Sequence, residues 1–156
     1  MENEEADMNP DEAAAALARI DRTQTRLAER AHWPLYRHAL FGLVEGLIVA
    51  GLAQPVAQAG AMIVAALVLI VICIGWDRRR DGMFVSGWQP GATRTLTVVI
   101  TLFVLAMAVT SVTLRDSGAA VPIGYLLGGI TLVVCTAASL HWEKLYRDHL
   151  VGKATA

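Results

Sequence analysis

The chain has 156 residues, of which 55% are hydrophobic and 17% are charged, and its mean hydropathy is +0.49. Its net charge is −1, so there is no basic excess that would indicate a nucleic-acid partner. The apolar residues are gathered in long runs that lack charges, a pattern typical of membrane-spanning helices rather than of a soluble domain.

The N-terminal segment is predicted to hold one helix outside the membrane. Residues 1–9 are acidic and are expected to be disordered. Asn9 can accept hydrogen bonds from free amides and Pro10 suits a first turn, so an amphipathic helix is predicted over residues 10–33. It could lie on the membrane surface, pair with another chain, or cover the cytoplasmic mouth of a bundle. Its apolar side contains Ala13, Leu17, Ile20, Gln24, Leu27 and Ala31, and its basic stripe contains Arg19, Arg22, Arg26 and Arg30.

Four apolar runs follow, and each is long enough to cross a hydrocarbon core of about 30 Å. The predicted spans are residues 35–53, 55–76, 95–114 and 117–140, and the last is expected to continue as a helix towards Val151. Continuous apolar runs predict an all-α integral membrane protein with four transmembrane helices, not a closed barrel. The first run begins too late for a cleaved signal peptide and is expected to act as an uncleaved anchor.

The charges between the spans predict the orientation. Basic residues precede the first span, fill the loop 77–94 and follow the last span, whereas the other two links hold a single arginine. The positive-inside rule therefore places both termini and this loop in the cytoplasm. The excess of arginine over lysine suggests a bacterial source, and hence the inner (plasma) membrane. An aromatic belt is predicted at the same boundary, formed by Trp33, Tyr36, Trp76, Trp88, Trp142 and Tyr146.

Small residues are expected to hold the helices together, because apolar surfaces gain little by associating within lipid and close backbone packing must replace that gain. Each span has a face of small residues, which predicts a compact bundle. The two GxxxG steps are the most specific, at Gly42 with Gly46 and at Gly124 with Gly128. The faces are Gly42, Gly46, Val49 and Ala53; Ala57, Ala61, Val64 and Val68; Thr97, Thr101, Val104, Ala108 and Ser111; and Gly124, Gly128, Thr131 and Cys135.

Glu45 is the most informative single residue, because it is predicted to lie midway along the first span, where a charge costs a few kcal/mol. Three interpretations stay open: a protonated structural carboxyl, a proton or cation site in a transporter or channel, and a contact with a basic group of a partner subunit. His38 is seven residues earlier on the same helix face. It could relay protons between the cytoplasm and Glu45, or it could be an ordinary interfacial residue.

The loop 77–94 is both basic and apolar. Its arginines are predicted to contact the phosphates of anionic lipid headgroups or a partner protein, and its glycines do not form a phosphate-binding fingerprint. The charged residues after the last span, including Glu143, are interpreted as a charged helix end. Cys73 and Cys135 lack neighbouring ligands, so no metal or cofactor is expected. The loop arginines are Arg78, Arg79, Arg80 and Arg94.

No nucleophile–base pair or redox ligand set is evident, so an enzyme is not expected. The first functional hypothesis is an accessory, assembly or scaffold subunit that presents its cytoplasmic helix and loop to a partner. The alternative is a homo-oligomeric proton- or cation-coupled transporter or channel that uses Glu45. Glu45 and its neighbouring glycines, in GLVEGLIVAGL, resemble the first helix of the small multidrug resistance exporters. The short loops and later aromatic pattern of that family are missing, so the chain is not assigned to it.

Overall fold

A computed structural model describes residues 9–30, 32–81 and 92–154. Its elements are five helices: α1 (Pro10–Arg30), α2 (Leu35–Leu52), α3 (Val56–Asp81), α4 (Ala92–Thr113) and α5 (Ala120–Ala154). No strand occurs among these residues. The chain divides into two compact units. One comprises Met1–His32 with Tyr146–Ala156, and the other, which we call the bundle, comprises Trp33–Leu145.

Helix α1 begins at Pro10 because Asn9 satisfies the amides of its first turn. The Asn9 side-chain oxygen accepts a hydrogen bond from the Asp11 amide at 3.2 Å. The Asn9 backbone carbonyl accepts hydrogen bonds from the amides of Glu12 and Ala13. The helix ends at Arg30 and not at the predicted residue 33. Pro34 accounts for the non-helical backbone at Trp33, since a proline disfavours helical backbone at the residue before it.

Helices α2 to α5 are each long and apolar enough to cross a membrane, which confirms the prediction of four such helices. Several boundaries differ from the predicted spans by three residues or more, including the end of α3 and the starts of α4 and α5. Helix α3 continues through its arginines to Asp81, since arginine is a good helix former and is favoured near the negative end of the helix dipole. Helix α5 begins at Ala120, because residues 114–119 form turns in which Ser117 bonds the Leu114 carbonyl.

Helix α2 lies at the centre of the bundle. Buried residues make up 39% of its span, against 6% for each of α3 and α4 and 22% for α5. It packs against all three of these helices. Large apolar side chains on the other helices, such as Val71, Leu102 and Val133, are exposed. The surface of the bundle is therefore apolar, as contact with lipid requires.

The small-residue faces of α2 and α5 are buried, but the face predicted for α3 is wrong. Its four residues, Ala57, Ala61, Val64 and Val68, are exposed. Helix α3 instead turns Ala59, Met62 and Ala66 towards the bundle, and Ala66 is fully buried. The reason is that α3 is apolar on every side, so its small residues favour no single face.

Candidate functional site

The seam between α2 and α5 is built from glycines that leave no room for a side chain. A Cβ atom added to Gly128 would lie 2.7 Å from both the Ala50 Cβ and the Gly46 carbonyl oxygen. A Cβ atom on Gly124 would lie 2.6 Å from the Ala53 Cβ. Gly42 packs in the same way against Leu132 and Thr136 of α5. The two GxxxG steps of the sequence thus meet where Gly46 contacts Gly128.

A buried polar cluster extends this seam at the end where α2 begins. It consists of Trp33, His38, Ser139 and Glu143, and we call it the His38 cluster. The His38 Nε2 atom lies 2.8 Å from the Glu143 carboxylate, and its Nδ1 atom lies 2.8 Å from the Ser139 hydroxyl. The Trp33 amide donates to the same Glu143 oxygen at 3.4 Å. His38 is 1% exposed and Glu143 is 6% exposed, so the cluster is closed to solvent.

The hydrogen bonds restrict the protons of the His38 cluster. An ionised carboxylate only accepts, so Nε2 of His38 carries a proton and donates it to Glu143. The Nδ1 atom then either accepts from the Ser139 hydroxyl, when the ring is neutral, or donates to it, when the ring is protonated. In both states every polar atom of the imidazole has a partner within the bundle.

The series Ser139–His38–Glu143 contains the residue types of a catalytic triad. In a triad, however, the serine is bonded to Nε2 of the histidine, and here it is bonded to Nδ1. Ser139 also lies within helix α5, where the surrounding amides are used in the helix and supply no oxyanion hole. The geometry is that of a structural network that joins two helices.

An arginine connects the His38 cluster to helix α3. The Arg37 guanidinium binds Asp77 through two nitrogens, with distances of 2.9 Å from Nε and 2.7 Å from a terminal nitrogen to the same carboxylate oxygen. Its central carbon lies 4.0 Å from the centre of the Trp33 ring. Trp33 stacks on Trp142 with ring centres 6.0 Å apart. Helices α2, α3 and α5 are therefore joined at one end, which we call the basic end.

Glu45 lies apart from these networks. The His38 ring is bonded to Ser139 and Glu143, and the structure shows no hydrogen bond from it to Glu45. Within the described part of the chain, the Glu45 carboxylate makes neither a hydrogen bond nor an ion pair. Glu45 is partly buried and shares one side of α2 with Phe41, Ile48 and Leu52, at steps of four, three and four residues. This side of α2 is only partly covered by the other helices.

The arginines of the predicted loop are only partly described. Arg78 and Arg79 belong to the last turns of α3 and are exposed, and Arg94 is exposed near the start of α4. The Arg80 side chain and residues 82–91 lie outside the described residues. Cys73 and Cys135 are free thiols, and the described residues contain no group of His, Cys, Asp or Glu that could hold a metal ion.

The contribution of Glu143 and Ser139 was missed by sequence reasoning, which treated Glu143 as part of a charged helix end. A signal for it does exist. Steps of four residues back from Gly46 reach Gly42 and then His38, and steps of four onward from Cys135 reach Ser139 and Glu143. Extending both small-residue faces towards the basic end would have set these polar residues opposite each other.

Together, the apolar surface and the internally bonded polar groups define an α-helical polytopic membrane protein. Comparison of the chain with known protein families, with characterised proteins and with solved structures found no match.

Proposed function

We propose that this protein is an accessory or assembly subunit of a complex in the bacterial inner membrane. The observation that carries the proposal is the Glu45 carboxylate, which is only partly buried on α2 and makes no hydrogen bond or ion pair within the described part of the chain. A carboxylate at mid-span is expensive in lipid unless a donor or a cation reaches it. A transmembrane helix of a partner subunit that carries a basic or hydrogen-bond-donating side chain satisfies this need.

Most other polar groups described in the bundle support a binding role, because their hydrogen-bond partners are internal; the buried Oε1 atom of Gln54, which accepts no hydrogen bond, is an exception. Ser111 of α4 donates to the Val49 carbonyl of α2 at 2.6 Å. Other hydroxyls bond carbonyls one turn earlier in their own helix, which leaves them few hydrogen bonds to offer a solute. These are Thr97, Thr101, Thr110, Thr131 and Thr136. Glu45 is thus an isolated site and not one step of a polar pathway.

Helix α1 offers a second surface for the same role. Leu17 and Ile20 lie three residues apart on one side of the helix and are 62% and 52% exposed. Arg19, Arg22 and Arg26 are exposed as well. An apolar strip beside a row of arginines suits either a partner protein or the anionic surface of the membrane. The proposal assigns α1 and the segment after α3 to the cytoplasmic contact of the subunit.

The proposed orientation has both termini in the cytoplasm. It follows from the arginines before α2 and at the end of α3, together with Trp33, Trp76 and Trp142 at the same end of the bundle. A fluorescent protein that folds only in the cytoplasm should give a fluorescence signal when it is fused after residue 156. The same fusion at residue 54 should give none, and the reverse result would overturn the orientation.

Site-specific photocrosslinking in native membranes tests the partner surface. A photoreactive residue in place of Ile48, one turn from Glu45, should give one adduct with a different polypeptide. The variant Glu45→Leu should abolish this adduct, and Glu45→Gln, which keeps hydrogen-bonding atoms, should retain part of it. A photoreactive residue in place of Leu102, which is 60% exposed on α4, is the control position. Adducts with lipid alone would contradict the proposal.

The alternative is a homo-oligomeric transporter or channel for protons or cations, and the isolated Glu45 also favours this function. In this case the Ile48 adduct would have twice the mass of the chain itself. Purified protein in liposomes would carry a proton or cation flux that Glu45→Gln removes while the helical content stays constant. Absence of flux in the wild-type protein would exclude the alternative and leave the accessory role in place.

A further inference from the structure

A groove lies on the exposed side of α3 near the basic end. It has a volume of about 590 Å³ and is lined by Ile72, Gly75, Trp76 and Arg79. These residues follow one another at steps of three, one and three, so they share one side of the helix. Gly75 opens onto this groove, since a Cβ atom added there would meet no atom within 4 Å.

The walls of the groove are held in place by contacts with α2. The Trp76 ring stacks on Tyr36 with ring centres 5.2 Å apart and an angle of 23° between the planes. The next residue, Asp77, is fixed by the two-nitrogen ion pair with Arg37. These contacts order the last turns of α3 before any ligand binds. Trp76 remains 51% exposed, so its ring is available on the groove side.

The charge of the groove is positive. Arg37 already neutralises Asp77, and within the described residues Arg78 and Arg79 have no ion-pair partner. The apolar stretch of α3 that can cross a membrane ends at Arg79, which places its guanidinium at headgroup depth. Trp76 lies about one turn deeper and Ile72 about two turns deeper, or roughly 5 Å and 10 Å along the helix axis. A cation, an aromatic ring and an apolar wall thus follow in order of depth.

We propose that this groove binds one anionic phospholipid. The lipid phosphate pairs with the Arg79 guanidinium, the glycerol region lies against Trp76, and an acyl chain crosses Gly75 beside Ile72. The order of these groups along a phospholipid matches their order along α3. Arginine binds phosphate through two parallel hydrogen bonds, and this geometry favours a specific contact with one phosphate over a diffuse interaction with the membrane surface. The site does not depend on the accessory role, because Glu45 lies on a different helix.

Native mass spectrometry of the full chain in detergent tests the proposal. The probes are phosphatidylglycerol and phosphatidylcholine with the same acyl chains. The wild-type protein should retain one phosphatidylglycerol and bind phosphatidylcholine more weakly. Arg79→Gln should weaken phosphatidylglycerol binding roughly tenfold or more, since one charge-assisted contact is lost. Arg115→Gln, at an exposed arginine in the turn between α4 and α5, is the matched control and should bind as the wild type does.

The decisive variant is Gly75→Leu, which places a bulky side chain in the path of the acyl chain and leaves every charge in place. It should lose phosphatidylglycerol to a similar extent as Arg79→Gln. Because Gly75 is exposed in a helix, the substitution is not expected to unfold the protein, and circular dichroism checks this. Unchanged binding in Gly75→Leu would overturn the proposal, since charge alone would then hold the lipid. Equal binding of both lipids, or displacement by millimolar inorganic phosphate, would also overturn it.

Discussion

The imidazole of His38 and the carboxylate of Glu143 lie 2.8 Å apart, although 105 residues separate them in the chain. The pair joins the first apolar helix to the last one. It lies on the same seam as the contact of Gly46 with Gly128. One interface thus combines close backbone packing in the apolar interior with a buried hydrogen-bond network at the basic end, and both parts can be tested by substitution.

Removal of either partner of the buried pair should destabilise the bundle. Glu143→Ala and His38→Ala should each lower the free energy of unfolding by roughly 3 kcal/mol, because a buried polar group is left without its partner. The double variant should lose much less free energy of unfolding than the sum of the two single losses, so the coupling energy between the residues should exceed about 1 kcal/mol. The free energies of unfolding of the wild type, the two single variants and the double variant are measured by reversible unfolding in mixed micelles with increasing SDS. Glu12→Ala, at an exposed position of α1, is the control, and additive losses would contradict the contact.

The glycine seam should reject even one methyl group. Gly128→Ala is expected to cost about 1–3 kcal/mol, because the added Cβ would press on the Gly46 carbonyl and on Ala50. The next residue provides a matched control. Gly129→Ala meets no atom within 4 Å and should be neutral, or stabilising by up to about 1 kcal/mol through helix propensity. Equal effects of the two substitutions in SDS unfolding would show that α2 and α5 do not approach as described.

The hydroxyl of Ser111 should contribute more to the free energy of unfolding than the hydroxyl of the preceding residue, Thr110. Ser111→Ala removes a buried hydrogen bond between α4 and α2, and such bonds contribute about 0.6–1.7 kcal/mol within membranes. Thr110→Ala removes only a bond to the Ala106 carbonyl within α4, at an exposed position, and should change stability by less than about 0.5 kcal/mol. Comparison of the two unfolding midpoints checks this difference. A larger loss in Thr110→Ala would contradict the assigned partner.

The Arg37 side chain should not be replaceable by lysine. Lysine keeps the charge but cannot form the two-nitrogen contact with Asp77 or lie flat over Trp33. The substitution Arg37→Lys should therefore lower the free energy of unfolding by about 1 kcal/mol. Its tryptophan emission spectrum should shift as well, because a cation leaves the Trp33 ring. Arg78→Lys, on the same end but exposed and without an ion pair in the described residues, serves as the control and should match the wild type in both measurements.

The four apolar helices could be predicted from the sequence because length and hydropathy are properties of each segment alone. The buried sides of α2 and α5 were also predictable, since small residues recur there at steps of four, three and four residues along one side of each helix. Helix α3 gave no such information: it is apolar all round, and only its partner decides that Ala66 is buried and Val64 is exposed.

The polar contacts of the basic end illustrate the limit of such reasoning. Glu143 stands among charged residues that resemble any solvated helix end, and its burial depends on His38 and Trp33, which are more than a hundred residues away. No local pattern states that two such segments meet. The ion pair of Arg37 with Asp77 has the same origin, because positive-inside counting treats both as parts of separate cytoplasmic segments.

The order in which the chain is made gives the α2–α5 seam a further consequence. At a synthesis rate of about 5–20 residues per second, Glu143 follows His38 by roughly 5–20 s. During this interval the glycine face of α2 has no α5 to cover it, and His38 has no carboxylate. A nascent or truncated chain that ends before Ser139 therefore exposes to the lipid an unpaired His38 side chain and the uncovered glycine face of α2. Such a chain exposes to membrane proteases and chaperones a polar side chain and a glycine face that the complete chain buries.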